Sequence, residues 1–332
     1  MLILTGEQVR GLLAGHENDI VRAVRDAYLA HSDGDTTLPH SSFLRLPESR
    51  NRIIALPAHQ AKPTPAAGLK WIASFPGNVE RDMDRASAVM ILNSTETGHP
   101  TAVVEGSLIS AQRTAASAAL AAQVLGSPGE GTRAGLVGCG VINFEVARFL
   151  RATRPDISAL TVHDTDPRRA KGFAERAAAA FPELDVTTSE SVEAVIAESS
   201  VLSIATSALT PHIQDLSGAP ARAVVLHVSL RDLTPEAVLA ADNYTDDIDH
   251  AVREQTSLHL AEQQVGNRDF VRATLADVLR GTVTVPDDER PRVFSPFGLG
   301  ILDLALATLV LDLAGQQGVG VDIPDFLPAR HG

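Results

Sequence analysis

The stretch GLVGCGVINFEVARFL, residues 135–150, places Gly138 and Gly140 where a strand-to-helix turn can approach a phosphate closely. In such a turn, backbone N–H groups and the helix N-terminus hold the anion. A carboxylate ending the next strand takes the ribose hydroxyls. Asp164 closes the apolar run ALTVHD, 26 positions beyond Gly138, and fits that second part. The third position departs from the pattern: Asn143 stands where glycine or alanine usually lets helix and strand pack closely. Its amide is expected to cap the helix or to donate to a phosphate. Gly138, Cys139, Gly140, Val141, Ile142, Asn143 and Asp164 are therefore read as a dinucleotide-binding set, with Cys139 a small loop residue. Asp164 would repel a 2′-phosphate, which favours NAD. Arg168 and Arg169 keep NADP open, or form a solvated first helical turn.

Other side chains stand out by type against setting. Lys70, in GLKWI, lies in an apolar strand, where lysine either snorkels or is held to act on a ligand. Arg113, in SAQRTAAS, sits in a helix of small apolar residues, and its planar fork suits a bidentate grip on a carboxylate. Asp232, in SLRDLTPE, follows a late strand; it could accept or relay a proton, or cap a helix starting at Pro235. Between Pro39 and Trp71 the cations Arg45, Arg50, Arg52, Lys62 and Lys70 face one acid, Glu48, a balance suited to a polyanionic ligand. Arg52 starts a strand and could equally be solvated. Arg231, beside Asp232, is a weaker candidate for a distal carboxylate. His40, His59, His212, His227 and His250 show no metal-ligand spacing, so no metal is expected. His227 and His250 could line a cofactor crevice, although buried, hydrogen-bonded roles suit both better.

The elements that position these groups fall into two blocks. The first opens with helical periods at GEQVRGLL and residues 17–31. The runs RIIALPA, AAGLKWIASF, ASAVMILN and TAVVEG follow, with turn signals between them, and a long Ala-rich helix covers 107–126. Residues 40–105 thus read as an antiparallel or mixed sheet. Beyond them AGLVG, ALTVHD, DVTT, VLSIAT and AVVLHVS alternate with helices near 143–153, 167–180 and 190–198, which implies a parallel, doubly wound sheet from about 130 to 290. The fold class is α/β, a Rossmann-type nucleotide domain (128–295) with an α+β substrate and dimerisation domain (1–127 with 296–332). The expected breaks are GSPGEGT (126–132) and PDDERP (286–291). The helix at 298–315 is expected to pack back on the first domain.

Composition bounds the partners. A 332-residue chain can bury two cores, and 44% hydrophobic with 21% charged residues is ordinary for a globular protein. A net charge of −13 disfavours nucleic acid and anionic membranes, which need a basic face. Cys139 is the single cysteine, so no intrachain disulfide forms and a cytoplasmic location is expected. The start MLILTGEQVRGLL lacks the pattern of a signal peptide. The most apolar stretch carries Asp303 and Asp312, which favours a packed helix over a membrane span.

Taken together, GLKWIASFPGN, RASAVMILN, SAQRTAASAALAA, the glycine turn, LHVSLRDLTPE, DDIDH, TSLHLAEQ, GNRDFVRATLADVL and SPFGLGILDLA resemble the ornithine cyclodeaminase/mu-crystallin family over nearly the whole chain. LRDLTPE, SLHLAEQ and SPFGLGILDLA point more narrowly to the branch of N-(2-amino-2-carboxyethyl)-L-glutamate dehydrogenases, which make 2,3-diaminopropionate for siderophores and peptide antibiotics. The resemblance implies a homodimer, NAD bound by the second domain, and a small amino acid substrate. It also implies that Arg113 binds the substrate carboxylate, that Lys70 contacts substrate and takes part in catalysis, and that Asp232 is catalytic. Arg45 matches a further substrate arginine, Arg52 and Arg231 join that set, and Thr206 and Ser229 join the cofactor-binding set. The glutamate that an ornithine cyclodeaminase carries upstream of the lysine has no match in IIALPAHQ. That ranks the cyclodeaminase second, and the retained Arg113, Lys70 and Asp232 rank a non-catalytic mu-crystallin-like protein third.

Overall fold

In the computed structural model, which describes residues 1–127, 129 and 133–328, a short strand β1 (Leu2–Leu4) leads into helix α1 (Gly6–Leu13). Thr5 and Gln8 cap α1 reciprocally, each side chain taking the other's backbone N–H. Helix α2 (Glu17–Ser32) follows. Then come β2 (Thr36–Thr37), β3 (Ser42–Arg45), β4 (Arg52–Gln60), β5 (Ala66–Ser74), β6 (Ala86–Asn93) and β7 (Pro100–Glu105). They form a sheet in the order β1-β7-β6-β5-β4-β2, with β3 also on β4, antiparallel except where β1 joins β7. Period-two alternation sorts its side chains. Lys70 lies opposite Leu56 and Met90 on one face, while Trp71 lies opposite Ala55 and Val89 on the other. Helix α3 (Ser107–Leu125) follows, its alanines buried.

The second sheet is built as the alternating strands and helices predict. Its strands are β8 (Arg133–Val137), β9 (Ala159–His163), β10 (Asp185–Thr188), β11 (Val201–Ile204), β12 (Val224–His227), β13 (Asp242–Thr245), β14 (Val271–Thr274) and β15 (Arg292–Phe294). All pair in parallel, in the order β10-β9-β8-β11-β12-β15-β13-β14. Helices α4 (Val141–Thr153), α5 (Pro167–Ala180) and α6 (Val192–Glu198) connect the early strands. The shorter α7 (Pro235–Ala240), α8 (Ile248–Ala251), α9 (Ser257–Val265) and α10 (Leu275–Arg280) serve the later ones. Strand order reverses direction between β8 and β11, and ligands of such sheets bind beyond the carboxyl ends at that point.

Helix α11 (Gly300–Gln317) and strand β16 (Val321–Asp322) return to the first sheet, β16 pairing with β1. Helix α11 packs on α2, β4 and β5. A side chain at Gly68 would come within 2.7 Å of the Ile91 carbonyl and 3.1 Å of Leu304 Cδ1, so glycine there lets helix and sheet close together. The chain forms two compact units, Met1–Arg113 with Leu299–Gly332 and Thr114–Gly298. Residues 286–291 are not a break, because the chain runs on into β15 inside the second sheet. The expected break at 126–132 falls largely outside the described residues. Among the described residues no helix is long and apolar enough to cross a membrane.

Candidate functional site

The glycine turn sits at the switch point, between the ends of β8 and β11. Gly138 has a left-handed φ of +94°, and a Cβ there would lie 2.4 Å from the Ala205 carbonyl of the neighbouring loop. At Gly140 a Cβ would meet nothing within 4 Å, and Gly140 gives α4 no side-chain cap. The first N–H groups of α4 are thus left to an anion, with room for one to approach. Val141 is exposed beside them and Ile142 is half-buried. Asp164 accepts the Cys139 N–H at 2.8 Å and the Asp166 N–H at 3.0 Å, so it shapes the turn while its remaining lone pairs suit ribose hydroxyls. These features fit a dinucleotide. Burial and the Asp164 charge push the Cys139 thiol up to about 12, which leaves it inert as a nucleophile.

Asn143 does something the sequence reading missed. It neither caps α4 nor reaches outward, because it has no solvent exposure. Its Nδ2 donates to the carbonyls of Val137 at 2.9 Å and Gly138 at 2.7 Å, and its Oδ1 accepts from Ser203 Oγ at 2.7 Å. The side chain braces the turn from behind and ties β8 to β11. Its side-chain amide is spent inside the protein and does not donate to a phosphate; the backbone N–H, in the first turn of α4, is what Asn143 offers an anion.

Asp232 is fully buried, and its carboxylate accepts from the hydroxyls of Thr206 and Ser229. Those two residues therefore face Asp232, with Thr206 Oγ1 also taking the Ala208 N–H at 3.0 Å. Asp232 is not the cap of α7; Thr234 is. His227, also buried, has Nε2 3.2 Å from the Asp232 backbone nitrogen and Nδ1 3.0 Å from Ser295 Oγ. A proton on Nε2 would face Asp232 Oδ2, 3.3 Å away. Burial pushes the Asp232 carboxyl up, but His227 and the Ser229 and Thr206 hydroxyls outweigh it and hold the group below its ordinary value. Arg231 stands apart from this cluster, its Nη2 bound to the Glu254 carbonyl at 2.7 Å. His250 is held by Asp247, whose hydrogen bond raises its basicity.

In the other unit, Lys70 and Arg113 meet at one carboxylate. Lys70 Nζ lies 2.7 Å from Asp303 Oδ2, off ideal hydrogen-bond alignment, and 3.1 Å from Ser110 Oγ. Arg113 Nε donates to Asp303 Oδ1 at 3.0 Å. Lys70 and Asp303 are 2% and 0% exposed, so the lysine does not snorkel. Burial and the neighbouring Arg113 lower the Lys70 ammonium to about 8, against the pull of Asp303. Asp303 was legible only as a charge inside an apolar helix; its spacing gave no sign of its partners. Arg45 pairs with Arg52 across β3 and β4, and Arg52 lies opposite Ser74, on the face of the sheet that carries Lys70. Arg45 also covers the Phe43 ring at 5.1 Å.

Against known proteins, residues 2–318 match the ornithine cyclodeaminase/mu-crystallin family. The N-((2S)-2-amino-2-carboxyethyl)-L-glutamate dehydrogenase of Staphylococcus aureus is 29% identical, over 97% of this chain and 98% of its own. The Delta(1)-pyrroline-2-carboxylate reductase of Thermococcus litoralis, solved with NADH and L-proline, shares the fold with a TM-score of 0.91 at 24% identity, over 97% of this chain and 100% of its own. An archaeal alanine dehydrogenase, solved as a dimer with bound NAD, gives a TM-score of 0.87 at 26% identity, over 98% and 99%.

Proposed function

The chain belongs to the ornithine cyclodeaminase/mu-crystallin family and is an NAD-dependent amino acid dehydrogenase, and on that premise we propose that it cleaves N-(2-amino-2-carboxyethyl)-L-glutamate oxidatively to 2-oxoglutarate and L-2,3-diaminopropionate. The product serves siderophore or peptide antibiotic synthesis. One observation carries this choice: Arg45 and Arg52 stand at the end of the sheet face that bears Lys70, with Arg113 buried beside Lys70's counter-ion. Such a grouping suits a substrate with three carboxylates. A ligand with several carboxylates gains more charge-assisted contacts from such a grouping than a ligand with one.

The substrate and dimer contacts are assigned to the unit of Met1–Arg113 with Leu299–Gly332, and the dinucleotide to the unit of Thr114–Gly298. Arg113, with Nε fixed on Asp303, keeps its terminal nitrogens for the α-carboxylate. Bound NAD⁺ supplies the acceptor for the hydride from the glutamyl Cα. Loss of that hydride and the amine proton turns the C–N bond into an imine, and water opens it to the keto acid and the primary amine. Lys70, at about 8, can give and take a proton near neutral pH. Asp232 stays ionised, and with both oxygens covered by hydroxyls it acts through Thr206 and Ser229 as a relay. In balance, conjugate, NAD⁺ and water give 2-oxoglutarate, diaminopropionate, NADH and a proton.

Mass spectrometry of the reaction, with L-ornithine run in parallel, tests the assignment. Equal amounts of 2-oxoglutarate and diaminopropionate, with one NADH each, are expected. Proline from ornithine without cleavage of the conjugate would replace it with the cyclodeaminase. Absence of NADH from every amino acid would leave a binding protein.

A further inference from the structure

The basic block read from the sequence ends at Lys70, yet the fold adds another cation to it. Arg85 lies just before β6, beyond a loop that carries the exposed acids Asp82 and Asp84. Its carbonyl takes the Phe75 N–H at 2.8 Å, which clasps the β5–β6 connection and brings Arg85 to the end of β5. There its Nε donates to Ser74 Oγ at 3.4 Å. Ser74 lies opposite Arg52 on the same face, so the Arg52 side chain starts beside the hydroxyl that Arg85 holds, and its charge acts on Arg85. Burial, then the charge of Arg52, make Arg85 less basic than usual, and among the described residues no carboxylate is paired with it. Two half-buried cations held together in this way are stabilised by an anion between them.

We propose that Arg85 and Arg52, on either side of Ser74, form a subsite for a distal carboxylate of the substrate, and that Arg85 selects amino acids bearing such a group. This rests on the reading of the substrate given above. The geometry suits it. Ser74 is four residues along β5 from Lys70 on the same face, about 13 Å between backbones. Arginine and lysine side chains are long enough for cationic heads anchored at the two ends to grip carboxylates of one small molecule. Arg113 then fixes the reacting end and Arg85 the far end. The choice between a dicarboxylic and a monocarboxylic amino acid lies at the outer end of β5.

Arg85→Gln tests this. With the glutamyl conjugate, KM should rise roughly 10- to 100-fold, the loss of one charge-assisted contact, with kcat little changed. Inhibition by glutarate should weaken by the same factor, while inhibition by butyrate, NADH affinity and Tm stay as in the wild type. Arg85→Lys should recover part of the loss. Ser74→Ala, which removes the tether but keeps both cations, should cost far less. A fall in Tm with unchanged KM and unchanged glutarate inhibition would make Arg85 a brace for the β5–β6 turn and overturn the subsite. Should the wild type fail to turn over the conjugate, the glutarate arm still decides by thermal shift of the NADH-loaded enzyme. Weaker glutarate protection in Arg85→Gln upholds the subsite even as the reaction is reassigned. Wild-type protection no better with glutarate than with butyrate overturns it.

Discussion

Asp303 balances two cations, Lys70 and Arg113, from a position with no exposure to water. Removing one partner of a buried ionic group is costly because the others keep their desolvation penalty, about 3–5 kcal/mol in comparable cases. Asp303→Asn should therefore lower Tm and reduce kcat/KM by roughly 100-fold, since Lys70 and Arg113 lose their common anchor. The pH dependence separates this from simple instability. Burial and Arg113 already hold Lys70 at about 8, and Asp303 opposes them; without the carboxylate the ammonium becomes still more acidic. A limb of the kcat/KM profile near pH 8 should move to lower pH in Asp303→Asn and stay close to its place in Asp303→Glu. For stability the sign is that of a lysine whose folded pKa is depressed: the penalty is full below pH 8 and is relieved as pH rises toward 10.5. The variant's deficit in Tm should accordingly be greatest on the acid side. An unmoved limb would show that Lys70 does not titrate in catalysis. Asp164 carries a separate test, because its oxygens hold the Cys139 and Asp166 N–H groups and, in the proposed dinucleotide site, would also take the ribose hydroxyls. Asp164→Ser should narrow the preference for NAD over NADP, chiefly by weakening NAD by roughly 10-fold. Fluorescence titration with both cofactors reads this, and an unchanged ratio would remove Asp164 from the ribose site.

At the scale of elements, the turn between β8 and α4 joins two strands through the Asn143 side chain. Restoring the usual glycine at this position should harm the protein. Asn143→Gly leaves the Ser203 hydroxyl and two carbonyls without their partner and opens a void. A loss of about 2–4 kcal/mol in unfolding free energy is expected, with weaker NAD binding because the turn loosens. Equal or higher stability by thermal unfolding would mean that the brace is dispensable. This turn also shows where sequence reading reaches its limit. The glycines and Asp164 were legible because backbone geometry restricts residue type at fixed spacing. One partner of Asn143, Ser203, lies 60 positions away, and no local pattern records such a bond. The same holds for Lys70 and Asp303, joined only by packing of α11 on β5. Long elements with clear periods, such as α1, α2, α3 and α5, were legible nearly to the residue. β13 was not: Asp242, Asn243, Tyr244 and Thr245 are all buried yet mostly polar, so hydropathy hides a strand. It survives burial because Tyr244 donates to Asp242 at 2.6 Å and Asn243 Nδ2 reaches the Val238 carbonyl at 2.7 Å.

At the scale of the whole molecule, the net charge of −13 and the first sheet place opposite demands on the surface. Alternation puts Ala55, Pro57, Leu69, Trp71, Val89, Ile91 and Val103 on the face opposite Lys70, and the register sets them side by side across β4, β5, β6 and β7. Trp71 is 39% exposed and Leu44 53%. A contiguous apolar sheet face of this breadth is costly to leave in water and marks an interface. In the homodimer proposed above, a second copy of this chain would cover it, the same face on each copy meeting about a twofold axis. The archaeal alanine dehydrogenase of the same fold was solved as a dimer. Strong net charge repels two copies at long range, and so association must come from apolar burial and should persist or tighten as salt rises. The wild type is expected to sediment as a dimer at micromolar concentration. Trp71→Asp with Ile91→Lys, placed near the centre of this face and pointing away from Lys70, should give a soluble monomer with the dinucleotide site intact. NADH binding by that monomer checks that the fold survives. A double variant that still sediments as a dimer would move the interface elsewhere, and a wild type that is monomeric at all salts would leave the face to another partner.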